Sequence, residues 1–344
     1  MNSYLKQIIL TFYNYKINSL KDAKKIESDF KSIGSNYLNL LSFDINERIN
    51  KINKGIEINS KFLNLIIEPY INDELKHSEY NQNKNNINKL ISTLKLFIRD
   101  WSIDGKKERN LVYSPIINEF KNYFMNNNIF NKKDLKILIP GTGLGRLQYE
   151  ISKLGFNTVG IEVSYFMLLC TNFLFNKKNK INKNLYLIQP LIHNFNNIYK
   201  EDDPFKNISI PDEDISNELI NNCGEVNIIP GDFLSSFNEL NYWDCVITSF
   251  FIDTANNIVE FIEKIYKILK KNGIWINCGP LLYHFTGIEN EISIELSWEE
   301  IEKIIIKIGF NILKINEIKT TYSSVENSMK QTIYSCMFFI VKKI

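Results

Sequence analysis

Apolar positions recur with a helical period through roughly the first 125 residues. Leu5, Ile8, Ile9, Phe12 and Tyr13 fall at i, i+3, i+4, i+7 and i+8, and Ile87, Leu90, Ile91, Leu94 and Ile98 follow a similar spacing. Each set lines one face of a helix. The polar, Asn-rich stretch 81–86 predicts a loop between helices. From Leu135 the pattern changes to short apolar runs alternating with helical stretches. Residues 136–139 predict a buried strand, 147–154 a helix and 158–163 a second strand, with 226–229 and 245–250 as the third and fourth. The amphipathic stretch 258–269 is a helix whose stop signal is Asn272-Gly273, and 274–278 is the fifth strand. A helix over 298–308 closes at Gly309, followed by strands near 311–318 and 332–341. Residues 194–222 show little periodicity and predict an insertion or lid.

Alternation of this kind predicts an α/β fold, a doubly wound and mostly parallel sheet preceded by a helical N-terminal region. The two terminal strands, joined only by a loop, can form an antiparallel hairpin at its edge. With 344 residues, of which 44% are hydrophobic and 23% charged, the chain can build a sizeable core. A net charge of +2 gives no reason to expect nucleic acid or an anionic membrane as partner. No apolar run reaches the roughly 18 residues of a membrane span, and the N-terminus lacks the pattern of a leader peptide. The five cysteines and three histidines are scattered without metal-ligand spacing, so no metal is expected. The expected compartment is the cytoplasm, with the nucleus as a second.

In open α/β sheets ligands bind outside the carboxyl ends of the strands, and the residues that carry chemistry here follow strands. After the first comes Pro140-Gly141-Thr142-Gly143-Leu144-Gly145, where glycines let the backbone turn and approach a ligand closely. Glu162, at the end of the second strand, lies 21 residues past Gly141, where a carboxylate can accept from both hydroxyls of a ribose. Asp232 and Phe233 follow the third strand, suited to an adenine amino group and ring, and Ser249 ends the fourth. Taken singly, Gly145 could serve only helix packing, and Glu162 and Asp232 could be solvated loop carboxylates. Together, behind successive strands, they predict a nucleoside site. The Gly-x-Gly-x-Gly spacing departs from the Gly-x-Gly-x-x-Gly expected for a pyrophosphate, which favours S-adenosylmethionine over a nicotinamide dinucleotide.

Longer strings carry a resemblance. They are Arg99-Asp-Trp-Ser102, Gly105-Lys-Lys-Glu-Arg109, Ile139 to Leu147, Trp243-Asp-Cys-Val246, Phe250-Phe-Ile-Asp-Thr-Ala255, Ile274 to Phe285, Ile294-Glu-Leu-Ser297 and Thr321-Tyr322. Over roughly residues 90–340 the chain resembles the carnosine N-methyltransferase family, most specifically through Gly279 to Phe285. The resemblance implies a seven-strand, Rossmann-like methyltransferase domain over 111–344, with a helical region over 1–110 closing over the cofactor. It implies that Arg99 meets the methionine carboxylate of S-adenosylmethionine, and that Gly141, Gly143, Glu162, Asp232, Phe233 and Ser249 hold the nucleoside. For the acceptor it implies Asp253, His284, Tyr322 and Tyr334, with Phe250, Phe251 and Tyr283 walling the pocket. Leu96 and Ser249 stand where animal members are expected to carry other side chains.

The implied reaction is methylation of an imidazole nitrogen in a small histidine-containing peptide, with Asp253 orienting the ring and stabilising its developing charge. Simpler roles stay open: a helix N-cap for Asp253, a semi-buried aromatic-run residue for His284, core tyrosines, and a helix-terminal cation for Arg99. Other readings are methylation of a histidine within a protein, a silent S-adenosylmethionine-binding protein and a nicotinamide oxidoreductase. The N-terminal helices are the candidate face for a homodimer.

Overall fold

The computed structural model describes residues 2–125, 132–176, 178–221, 223–325 and 327–344. Helices come first: α1 (Ser3–Tyr13), α2 (Tyr15–Ser32), α3 (Ser35–Leu38), α4 (Ile45–Ile67), α5 (Asp73–Lys76), α6 (Lys84–Trp101) and α7 (Lys106–Phe124). Alternation follows with β1 (Ile137–Pro140), α8 (Arg146–Ser152), β2 (Thr158–Glu162), α9 (Tyr165–Phe175), β3 (Tyr186–Ile188), β4 (Ile208–Ile210) and α10 (Ile215–Asn221). Then come β5 (Val226–Pro230), β6 (Trp243–Ser249), α11 (Ile258–Ile268), β7 (Leu269–Gly279), α12 (Trp298–Ile308), β8 (Phe310–Thr320) and β9 (Tyr334–Lys343). The chain divides into two compact units, one of residues 1–105, 181–214 and 325–331, the other of 106–180, 215–324 and 332–344.

In the first unit the helical period holds. α1 buries Ile8, Ile9 and Phe12, and α4 buries Ile49, Ile52, Ile56, Leu63, Ile66 and Ile67 along one stripe. The loop expected over 81–86 ends at Asn83, whose side chain accepts from the Asn85 and Asn86 amides and starts α6 early; Asn is a good cap, and local polarity alone hides it. Residues 194–222 are also not a structureless insertion. They contain β4, which pairs antiparallel with β3 through Tyr186↔Ile210 and Ile188↔Ile208, and α10. Strands of three residues are too short to print a period in the sequence.

A buried polar network crosses this unit. The Asn59 amide donates to the Tyr15 hydroxyl (3.0 Å) and to the Gln189 carbonyl (2.9 Å), while its oxygen accepts from the Gln189 amide (2.7 Å). The Tyr15 hydroxyl in turn shares a hydrogen bond of 2.7 Å with His193 Nε2. Burial, and then the charge of Lys95, push the imidazole down to about 4. An unfolded histidine titrates near ~6.5, so the unfolded chain binds the extra proton first as pH falls. Stability from this site is full above pH ~6.5 and about 2 kcal/mol of it is gone by pH 5. Urea melts at pH 7.5 and pH 5 should show that loss, and His193→Gln should flatten it.

The second unit holds a seven-stranded sheet in the order β5-β2-β1-β6-β7-β9-β8. Strands β5, β2, β1, β6 and β7 run parallel, and β9 lies antiparallel between β7 and β8. The terminal pair is therefore the edge hairpin, with the last strand inserted inside it. The central parallel strands β1 and β6 read as apolar runs because both of their faces are covered, whereas β5 lies at the edge and is partly exposed. Leu138, Val246, Trp275 and Phe339 enter one core with α11 and α12, while Ile137, Ile139, Cys245, Ile247, Ile274, Ile276 and Phe338 enter the other with α7 and α8.

One boundary signal differs from expectation. α11 ends at Ile268 and β7 begins directly at Leu269, so Asn272-Gly273 lies inside the strand. Leu269 opposes Trp243 and Ile274 opposes Cys245, so the extra β7 residues between them form an irregularity with Asn272 at φ +67°. A left-handed Asn followed by Gly serves a strand bulge as well as a helix end. Burial of Leu269 in the core and the ion pair of Lys270 with Asp244 decide which.

Candidate active site

Crossing β1 the chain order reverses: β2 and β5 extend the sheet to one side, β6 and β7 to the other. That is the switch point where ligands bind open α/β sheets. The turn after β1 carries Gly141, Gly143 and Gly145 in the left-handed region. A Cβ at Gly145 would stand 2.4 Å from the Phe175 ring, so this glycine does serve packing against α9. At Gly143 (φ +56°) a Cβ would meet nothing within 4 Å. Conformation alone requires glycine there, and its open face forms a cradle. Gly143→Ala should weaken binding of an adenine nucleoside more than Gly145→Ala does, while Gly145→Ala should lower the melting temperature more; calorimetry and thermal unfolding separate the two.

Glu162 is no solvated loop carboxylate. Oε2 accepts from the Gly143 amide (2.9 Å), and Oε1 accepts from the amides of Val163 (3.0 Å) and Ser164 (2.9 Å). Burial raises its carboxyl above the ordinary range, and these three amides oppose the rise. The turn is also held by Gln148 of α8. Thr142 donates to Gln148 Oε1 (2.9 Å), and the Gln148 amide donates to the carbonyls of Asn227 (2.9 Å) and Thr158 (3.3 Å). Gln148 lies in a helix that also buries Arg146 and Ser152, so a polar side chain there does not stand out in the sequence.

Asp232, exposed past β5, accepts from the Ser235 amide (2.9 Å). Phe233 is buried, its ring edge-on to Phe251 (5.6 Å) and Phe261 (5.3 Å), so its side chain serves the core beneath the Asp232 turn. Ser249, at the end of β6, has a buried hydroxyl without a hydrogen-bond partner. An orphan buried hydroxyl beside an open glycine cradle and a pinned carboxylate is the polarity a nucleoside needs, so these residues fit S-adenosylmethionine. Arg99 belongs to the helical unit, where it is buried and pairs with Asp100 at 2.7 Å.

Past β6, Phe250 adopts φ +51°, and its amide donates to the Cys278 carbonyl (3.0 Å), tying the ends of β6 and β7 together. A bulky residue in that region is strained and is held only by its surroundings. Tyr322 lies against its ring at 4.6 Å and Tyr334 edge-on at 6.0 Å. Asp253 sits in a single 3₁₀ turn, Ile252–Thr254, almost fully buried. It is not the cap of α11; Asn257 is, accepting from Val259. Asp253 Oδ2 accepts from the Leu282 amide (2.9 Å), and its carbonyl accepts from the His284 amide (3.1 Å). Two long-range bonds thus bring Asp253 and the loop bearing the exposed His284 together. Burial raises the Asp253 carboxyl, and the Leu282 amide and the nearby His284 oppose it. Phe251 stacks on Phe261 at 4.9 Å in the core, and the Tyr283 hydroxyl is taken up by both backbone groups of Leu296. Of the three expected wall residues, Phe250 is the one joined to the candidate tyrosines. Among the described residues no cluster of His, Cys, Asp and Glu could hold a metal.

With its last strand inserted antiparallel between β7 and β8 and a glycine turn braced by Glu162 at the switch point, the protein is of the Rossmann-like, S-adenosylmethionine-dependent methyltransferase class. A sequence profile described as carnosine N-methyltransferase matches residues 76–344. The chain is similar to the carnosine N-methyltransferase of Mus musculus, 37% identical over 98% of this chain and 85% of that one. It is also similar to that of Schizosaccharomyces pombe, 32% identical over 98% and 95%. Among solved structures it is similar to a SAM-dependent methyltransferase from Methanosarcina mazei, with 12% identity, TM-score 0.41, and 64% of this chain and 98% of that one covered. The chain belongs to the carnosine N-methyltransferase family.

Proposed function

We propose that the protein transfers the methyl group of S-adenosylmethionine to an imidazole nitrogen of a histidine-containing dipeptide of the carnosine type. Glu162, Asp232 and Ser249 would hold the nucleoside, with Gly143 giving it room. When bound, the sulfonium supplies an electrophilic methyl group. Free imidazole titrates near ~6.5, so much of it is already neutral near pH 7 and needs no base for activation. What it needs is one tautomer, aligned. Asp253, buried and braced by the Leu282 amide, is the single observation that carries the reading. Its carboxylate would accept the N–H of one ring nitrogen, leaving the lone pair of the other to attack. The new N–C bond forms as the C–S bond breaks, and the positive charge that spreads over the ring faces Asp253. The electron pair of the broken C–S bond stays on sulfur, and the ring gives its N–H proton, by way of the Asp253 carboxylate, to water and returns to neutrality.

The direct test is transfer of labelled methyl from S-adenosylmethionine to carnosine, to other histidyl dipeptides and to histidine within a protein panel, with products mapped to the ring nitrogen. Label on the dipeptide ring is expected. Label only on protein histidine would replace the acceptor class, and no label on any imidazole would overturn the proposal.

A further inference from the structure

One carboxylate in the methyltransferase unit is engaged far beyond the needs of its own helix. Glu108 lies in the first turn of α7, where an acidic side chain ordinarily needs no partner but the helix N-terminus. Here its Oε2 accepts from the Thr321 hydroxyl (2.6 Å) and the Ser324 amide (2.9 Å), and its Oε1 accepts from the Ser323 amide (2.7 Å). All three donors belong to the start of the connection between β8 and β9, which has neither helix nor strand of its own there. Ser323 is in the left-handed region at φ +52°, a conformation a non-glycine residue keeps only when its neighbours hold it. Tyr322 sits in the middle of the clamped turn. It is 40% exposed, so packing alone fixes it poorly, yet its ring lies 4.6 Å from Phe250. The platform beneath Glu108 is rigid, since α7 buries Ile116 and Phe120 in the core under the sheet.

We propose that Glu108 is a positioning residue for the acceptor: its carboxylate clamps residues 321–324 and thereby fixes the Tyr322 ring beside Phe250. The proposal rests on the reading that Tyr322 and Phe250 border the acceptor site. Charge-assisted bonds to two backbone amides and a hydroxyl make the clamp specific for a carboxylate. A glutamine there turns one acceptor oxygen into a donor that faces another donor.

Glu108→Gln should raise KM for carnosine about tenfold, with kcat within about threefold and affinity for S-adenosylmethionine unchanged. In a Tyr322→Ala background the same substitution should change KM less than about twofold, because the ring it positions is gone. Thr321→Val, which removes the hydroxyl donor and leaves the carboxylate, should give an intermediate rise and serves if Glu108→Gln does not fold. Hydrogen exchange at the Ser323 and Ser324 amides should accelerate in Glu108→Gln. Unchanged exchange, an unchanged KM, or an equal rise in the Tyr322→Ala background would overturn the proposal. Wild-type protein that leaves histidyl dipeptides unmethylated would instead sink the acceptor assignment, and the exchange data would still decide whether the clamp exists.

Discussion

Asp253→Asn should lower kcat for imidazole methylation by about 10²–10³-fold while leaving affinity for S-adenosylmethionine within about twofold. The asparagine oxygen can still accept from the Leu282 amide, so the turn at Ile252–Thr254 and the approach of the His284 loop should survive. What disappears is the negative charge facing the ring as it becomes cationic, and with it the fixed tautomer. Because the lost interaction matures only in the transition state, the effect belongs in kcat more than in binding. Steady-state kinetics with carnosine, paired with calorimetric titration of the donor, separates the two. A drop in donor affinity equal to the drop in kcat would show that Asp253 acts by holding the site together.

Glu162→Gln should reduce affinity for S-adenosylmethionine by about 10²-fold and also cost about 1–3 kcal/mol of stability. Both oxygens of the carboxylate accept backbone N–H groups, from Gly143 on one side and from Val163 and Ser164 on the other. An amide presents one oxygen and one NH₂, so whichever way it turns, at least one backbone amide proton faces a donor. The glycine turn loses its brace, and with it goes the carboxylate proposed to accept from the ribose. Thermal unfolding without ligand reads the first loss and calorimetry the second. Normal stability with unchanged donor affinity would remove Glu162 from the nucleoside site altogether.

The candidate cofactor residues were more legible in the sequence than the candidate acceptor residues, for a physical reason. Gly141, Gly143 and Glu162 answer to local demands, a left-handed turn and a strand end, and each sits at a fixed offset from an apolar run. Asp253 and His284 acquire their relation only through the bonds from Leu282 and His284 back to the turn after β6, across some thirty residues of chain. Tyr322, Tyr334 and Phe250 come from three separate segments and meet only in the folded sheet. Without resemblance to a family, nothing in their local sequence marks them apart from core aromatics. Phe233 and Phe251 likewise pack among core aromatics, and the Phe251 ring abuts the glycine turn, 2.4 Å from where a Cβ on Gly141 would stand; both placements come from the fold and leave no mark in the local sequence.

By itself the sequence determined the doubly wound α/β class, the strands that carry the site and the glycine turn at its switch point. Strands buried on both faces must be apolar throughout, and a left-handed turn under close approach demands glycine. Only the tertiary structure decided that Asn272-Gly273 bends a strand, that residues 194–222 hold a paired strand and a helix, that Gln148 props the glycine turn and that Glu108 grips the turn bearing Tyr322. Each of these depends on a partner distant in sequence, and a hydrogen bond between distant residues leaves no periodic trace in the chain.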